Sequence, residues 1–229
     1  MNSLKNYRDL GGLRLKNGGR TRYGVFARCE NPASLTEEEK AELLAAGFCN
    51  VLDLRREDEV EEEPDVLSTS AGFRYFQHRM NDAPYCDCCD VTTPEGSARA
   101  YYTYFHTSVQ HLRILFRYLC EAQDGVLFHC VQGKDRTGCL AAMLLLLAGA
   151  EDAEIVADYH RTYACLYTSG ICCDLPGELL VPREENMRLL LQAFHRDYPD
   201  VREYFRKLGL SEADMDALVE RFTQPEEEA

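Results

Sequence analysis

The sequence predicts an α/β fold, with a central, mainly parallel sheet flanked by helices and extra helices at the C-terminal end. Three observations carry this expectation. Short apolar runs at 50–54, 73–77 and 125–129 alternate with stretches of helical periodicity, the pattern of parallel strands joined by crossover helices. Beyond residue 183 only helical periodicity remains. The composition, 45% hydrophobic and 28% charged over 229 residues, is that of a folded globular chain rather than a disordered or fibrous one.

Taken in order, residues 1–30 read as loop-rich, with Gly11-Gly12 and Gly18-Gly19. A helix opens at Thr36, whose spacing to Glu39 is that of a capping box, and stops at Gly47. Asn50-Val51-Leu52-Asp53-Leu54 is a buried strand, and the acidic run 57–63 that follows reads as solvated surface. Residues 73–77 form another strand, and 80–97 a polar loop with a cysteine cluster. Residues 98–121 carry helical periodicity, in Tyr101, Tyr104, Phe105, Val109, Leu112, Leu115, Phe116 and Leu119. Residues 125–129 give a strand, 130–137 a loop, and 138–147 an apolar helix. A helix over 151–163 and an irregular stretch over 165–181 come next. Helices near 183–197, 199–208 and 212–222 complete the chain, with Ser211 as an N-cap. A single domain spanning 1–229 is expected, with a disordered tail at 224–229.

Charge and cysteine content narrow the function classes. Lys+Arg number 25 and Asp+Glu 39, a formal charge of −14, which argues against a nucleic-acid partner. It leaves room for an anionic small substrate, because a few local cations override a global field. The longest apolar run, 139–150, is too short for a membrane span of ~20 residues, and no secretory leader is visible. The 11 cysteines are therefore read as reduced thiols in a cytoplasm.

The chemistry lies in His129-Cys130-Val131-Gln132-Gly133-Lys134-Asp135-Arg136-Thr137-Gly138. A Cys-x5-Arg spacing alone is worthless here, since Cys49 and Arg55 share it along an extended run that cannot curl around an anion. The context of Cys130 differs. A strand ends, a glycine-bearing loop follows, and a helix starts. Inward backbone N–H groups and the helix N-terminus together make an anion cradle at the carboxyl end of a strand. Cys130 on its floor would favour the thiolate. Arg136 can grip two phosphoryl oxygens, Thr137 can donate its hydroxyl to the sulfur, and Lys134 offers a cation to a second phosphate or a lipid phosphate. Asp135 is odd in an anion cradle unless it carries a proton, which would make it a general acid. The expected substrate-binding positions are Val131, Gln132, Gly133, Lys134, Thr137 and Gly138, with His129 supporting the loop.

This signature resembles that of cysteine-dependent protein tyrosine phosphatases. Its Lys-Asp pair before Arg resembles a bacterial branch that also dephosphorylates phosphoinositides. Asn6-Tyr7-Arg8-Asp9-Leu10-Gly11-Gly12, Val51-Leu52-Asp53-Leu54-Arg55-Arg56 with Glu59 downstream, and the C-terminal 204–222 are similar to the same branch, so the resemblance spans about residues 6–222. It implies a Cys-x5-Arg phosphatase fold and a thiophosphate intermediate on Cys130. It implies no metal and no cofactor, since Arg136 and the N–H cradle balance the charge. The substrate it implies is a phosphorylated protein or a phosphoinositide. The general acid is Asp135 in this branch, with Asp82 as the alternative. Arg8, Asp9 and Arg55 match family positions, either as scaffold ion pairs or, for Arg8 and Arg55, as positive field near the substrate; Asp53 would order the loop.

Cys29 stands where the branch commonly has Ser, and Cys29 or Cys139 could pair with Cys130 on oxidation. Cys86, Cys88 and Cys89 offer half of a zinc pattern, with no good second half at Cys172-Cys173. The Tyr101–Phe105 stretch is core or a phosphotyrosine-flanking face, and 163–180 a candidate lid. Two competing functions remain, a phospholigand-binding module without turnover and a rhodanese-type sulfurtransferase. The intact Cys130, Asp135 and Arg136 argue against the first, and Lys-Asp-Arg-Thr-Gly fits phosphate better than the second.

Overall fold

A computed structural model of the chain describes residues 3–82, 89–167 and 181–225. Its elements run β1 (Arg8–Asp9), β2 (Arg20–Thr21), β3 (Phe26–Cys29), α1 (Glu37–Ala45), β4 (Phe48–Asp53), α2 (Glu57–Glu62), a 3-10 turn (Val66–Thr69) and β5 (Arg74–Gln77). Then come α3 (Pro94–Thr107), α4 (Val109–Glu121), β6 (Gly125–His129), α5 (Asp135–Ala148), α6 (Asp152–Tyr167), α7 (Glu184–Asp197), α8 (Val201–Leu208), α9 (Glu212–Phe222) and β7 (Thr223–Gln224).

The main sheet has the order β1-β3-β6-β4-β5, and every pairing except β1 with β3 is parallel. β6 is central. Its last residue, His129, lies opposite Cys29 of β3 and Asp53 of β4, so three strands end level at one edge. Side chains alternate across this sheet as a period of two requires. Phe26, Leu52, Val126 and Phe128 face one core with the helices α3, α4, α5 and α7–α9, while Ala27, Val51, Leu127 and Cys29 face a smaller core under α1. Each fully buried large apolar side chain contributes roughly 1.5–3 kcal/mol of transfer free energy. α5 is buried along its whole length from Thr137 to Ala148. A helix that is apolar all round belongs inside, and this one anchors the loop before it.

Three expectations are corrected and one is refined. The helical stretch read over 98–121 is two helices, α3 and α4, which meet at Ser108. The helix after the Cys130 loop begins at Asp135, not near Thr137. β3 was hidden in the loop-rich N-terminal stretch, because Arg28 breaks its apolar pattern. The tail expected to be disordered from 224 is held through Gln224, which pairs with Arg20 between β7 and β2. Residues 226–229, like most of the 163–180 lid candidate and Cys86, Cys88, Cys172 and Cys173, lie outside the described residues. No helix among the described residues is long and apolar enough to cross a membrane.

Candidate active site

Residues 130–134 turn between β6 and α5. Gly133 has φ +65°, and a Cβ there would sit 2.0 Å from the carbonyl oxygen of Cys29, so only glycine fits. The loop's carbonyls are all taken from outside. Asn31 N–H donates to Val131 O (2.9 Å). Asn6 Nδ2 donates to Gln132 O (3.0 Å) and Gly133 O (2.9 Å). Arg28 Nη2 donates to Gly133 O (2.7 Å) and Lys134 O (3.3 Å). With its carbonyls tied outward, the loop turns its N–H groups toward the start of α5, and the helix dipole adds to the same positive field.

A buried ion cluster holds these anchors. Asp158 on α6 accepts from Arg8 Nε (2.5 Å) and Arg28 Nη1 (2.6 Å). Arg8 also donates to Asn6 Oδ1 (2.5 Å), Asn6 O (2.9 Å) and Thr162 Oγ1 (3.0 Å). Arg8 therefore acts as scaffold, fixing Asn6 behind the loop. Asp9 lies further off and accepts from Gly11 N–H and Gly24 N–H, each at 2.7 Å.

Cys130 is 3% exposed. Burial raises its thiol, but Arg136 and the Thr137 hydroxyl and N–H outweigh burial and hold it below the ordinary thiol range. Thr137 Oγ1 is buried with no other hydrogen-bond partner, which leaves its hydroxyl for the sulfur. Cys29 and Cys139 are pushed the other way, primarily by burial, and stay protonated. Cys29, Cys130 and Cys139 are free thiols, and Cys29 packs in the opposite core from Cys130.

Arg136 is aimed by Glu59, which accepts Nη1 at 2.6 Å and Nη2 at 2.7 Å in a two-pronged pair. Glu59 sits in the acidic run read as solvated surface, and this role was missed. Its helix α2 is pinned from behind by Arg55, which donates to Glu63 O (2.6 Å) while its other nitrogens grip Asp53 (2.7–3.0 Å). Asp53 also accepts from Tyr75 Oη (2.6 Å). Arg55 therefore holds α2 rather than facing a ligand. His129 sends Nε2 to Asp65 Oδ2 (3.0 Å) and Nδ1 to Cys130 O (3.1 Å). Burial lowers its pKa, yet Asp53 and Asp65 overcome this and raise it. Both ring nitrogens face acceptors, an arrangement that favours the doubly protonated ring. Asp53, Asp65 and His129 lie close enough for a metal, but here they are engaged by protein groups, His129 by Asp65 and Asp53 by Arg55 and Tyr75.

Asp135 is the first residue of α5. It accepts from Tyr101 Oη and lies 3.5 Å from Lys134 Nζ through Oδ2. Lys134 is only 1% exposed, tucked inward rather than extended toward a second anion. Tyr101, Tyr104 and Phe105 are core residues. Asp82 sits apart. Its side chain is 71% exposed and held by Arg79 Nε (2.9 Å) and His111 Nε2 (3.1 Å), and His111 foremost keeps it below the usual carboxylate range.

The structure thus gathers Cys130, Asp135, Arg136, Thr137 and the 131–134 backbone at one point, with His129, Asp53, Arg55 and Arg8 as the frame behind. Tyr101, read from the sequence as a core or ligand-flanking residue, also joins that frame with Asp65, Asp158 and Tyr159, and no local pattern in the sequence marks the last three.

The family model of the tyrosine phosphatase family matches residues 1–224. A tyrosine-protein phosphatase of Nostoc commune is 30% identical over 221 residues, covering 87% of this chain and 74% of its own length. Among solved structures, P. aeruginosa TpbA is similar at TM-score 0.45 and 16% identity, over 84% of this chain and 91% of that one. The core catalytic domain of the S. cerevisiae PP-IP phosphatase SIW14 is similar at TM-score 0.35 and 16% identity, over 87% and 98%.

Proposed function

The chain belongs to the tyrosine phosphatase family, and on that premise we propose that Cys130, Arg136 and Asp135 carry out hydrolysis in two steps. The enzyme is a phosphoric monoester hydrolase of the cysteine type. Cys130 attacks phosphorus in line, forming an S–P bond as the P–O bond to the leaving group breaks. Arg136 and the N–H groups of 131–138 bind the equatorial oxygens, whose charge builds in the transition state. Asp135 gives its proton to the departing oxygen. As a carboxylate it then takes a proton from water, which attacks phosphorus, breaks the S–P bond and releases phosphate with the thiolate restored. The Thr137 hydroxyl stabilises that sulfur as it leaves.

One observation carries the reading. A buried thiol is held below its ordinary pKa by Arg136 in a loop whose carbonyls are all tied outward. Asp135 is preferred to Asp82 because it starts the helix that carries Arg136 and Thr137 beside Cys130, whereas the Asp82 side chain is 71% exposed and engaged by Arg79 and His111. The preferred substrate we infer is a phosphotyrosine side chain. Lys134 is turned inward against Asp135 rather than out toward a second phosphate, and a charge of −14 is repelled by anionic lipid surfaces. The 11 cysteines of the sequence, read as reduced thiols, fit a cytoplasmic setting.

The test is phosphate release with EDTA present, from a phosphotyrosine peptide, a phosphoserine peptide and phosphoinositides, beside sulfur transfer from thiosulfate. Release fastest from phosphotyrosine is expected. Release from phosphoinositides alone would overturn the substrate assignment, and thiosulfate turnover without phosphate release would overturn the reaction. Glu59→Gln, which loses half of the Arg136 fork, lowers kcat/KM by roughly tenfold, the weight of one charge-assisted hydrogen bond. Unchanged kinetics would show that Arg136 needs no aiming.

A further inference from the structure

A second set of buried groups converges on Asp135 from three helices. Tyr101 of α3 donates its hydroxyl proton to Asp135 Oδ1. That bond fixes the direction of the next one. Tyr159 of α6, with its oxygen 2.8 Å from the Tyr101 oxygen, must donate to it. Asn186 of α7 in turn donates from Nδ2 to Tyr159 Oη at 3.5 Å, while its amide also reaches Val181 O at 3.2 Å. Tyr101, Tyr159 and Asn186 are 3%, 1% and 3% exposed, so water does not compete for these bonds. The two rings meet edge to face with centroids 6.0 Å apart, which limits rotation of either hydroxyl. Burial, then the Asp135 charge, pushes both phenols above their ordinary values, so they remain donors. The result is a one-way line of donors ending on a single oxygen of Asp135.

We propose that Tyr101, backed by Tyr159 and Asn186, is a positioning residue that orients Asp135 and selects which of its oxygens carries the transferable proton. The inference rests on Asp135 being the acid. With Oδ1 filled by the Tyr101 proton, the acid proton resides on Oδ2, the oxygen 3.5 Å from Lys134 Nζ. When Oδ2 gives that proton to the leaving oxygen, the new carboxylate is met by the Tyr101 hydroxyl on one side and the Lys134 ammonium on the other. The same two contacts hold the carboxylate in place to act as base on water in the second step.

Tyr101→Phe keeps the ring and removes the donor. Its effect should depend on the leaving group, because an acid matters most where the departing oxygen is a poor leaving group. The experiment compares kcat/KM for phenyl phosphates spanning good to poor leaving groups in wild type, Tyr101→Phe, Tyr159→Phe and Asp135→Asn, with thermal melting and phosphate binding as controls. Wild type is expected to show a shallow dependence and Asp135→Asn a steep one. Tyr101→Phe should fall between, losing roughly 10- to 100-fold on the poorest leaving group, the weight of one hydrogen bond to a charged group, and little on the best. Tyr159→Phe should shift the same way by less, and it carries the test if Tyr101→Phe does not fold. A uniform loss across leaving groups in both tyrosine variants, with Asp135→Asn still steep, would overturn the inference and leave the acid assignment standing. A shallow dependence in Asp135→Asn itself would instead overturn that assignment.

Discussion

Replacing Cys130 with serine lowers phosphate release by ~10,000-fold or more, the scale of losing a covalent nucleophile. The fold stays intact, and affinity for phosphate or vanadate stays within about tenfold. The asymmetry follows from the division of labour in the loop. In the proposed mechanism binding rests on Arg136 and the backbone N–H groups, which the outward-tied carbonyls and Glu59 hold without help from the sulfur. The chemistry rests on a thiolate, which a serine hydroxyl cannot replace at neutral pH. Wild type should carry a matching signature in pH. The Cys130 thiol titrates below its ordinary range, so activity and alkylation by iodoacetamide both survive below pH ~8.5, where a free thiol fades. Both fall only as pH drops through the lowered value. Steady-state kinetics and calorimetry check this, and retained turnover in the serine variant would remove Cys130 from the mechanism.

Asp158→Ala costs about 3–5 kcal/mol of stability, because it leaves two buried guanidinium groups uncompensated. Arg28 and Arg8 meet on this one carboxylate, with side chains 0% and 5% exposed. For a chain of this size that cost is roughly a 6–20 °C drop in Tm. Burial raises the Asp158 carboxyl, yet Arg8 and Arg28 together bring it below its usual value. Its contribution is therefore present above the unfolded value of ~3.9 and is lost as pH falls through the lower folded one. The gap in Tm between wild type and variant should stay constant from pH 7 to pH 5 and narrow below pH ~4. Activity should fall with it, since Arg28 and Asn6 lose their common anchor. A shift under about 2 °C at pH 7 would mean that the cluster does not act as a unit.

How much of this was readable follows from where the information lies along the chain. β4, β5 and β6 each carry adjacent apolar residues, Val51-Leu52, Tyr75-Phe76 and Val126-Leu127-Phe128, within segments bounded by polar or glycine residues, and these runs stand out in the sequence. β3 is as buried, but Arg28 sits at its third position, and an arginine in a four-residue strand erases the pattern. The loop 130–138 was legible because its strand, glycine and helix start are consecutive. Its supports were not. Glu59 reaches Arg136 across 77 positions, Asp65 reaches His129 across 64, and Asp158 reaches Arg28 across 130. Only tertiary packing makes these neighbours, so the acidic run around Glu59 read as solvent-facing although one member faces inward.

The span of those same contacts bears on the order in which the molecule comes into being. The loop's carbonyls wait for Asn6, whose partners lie 126 and 127 positions away, and Arg8 waits for Asp158 across 150. Contacts this distant close late, after local helices and strand pairs have formed. A nascent chain emerging from the ribosome has made its cysteine before the carboxylate that locks the frame has been synthesised. Until α6 docks, the sulfur sits in an unshaped loop as an ordinary, mostly protonated thiol. Reactivity is thus assembled last, and a half-made or truncated chain carries little of the nucleophile that the finished one holds ready.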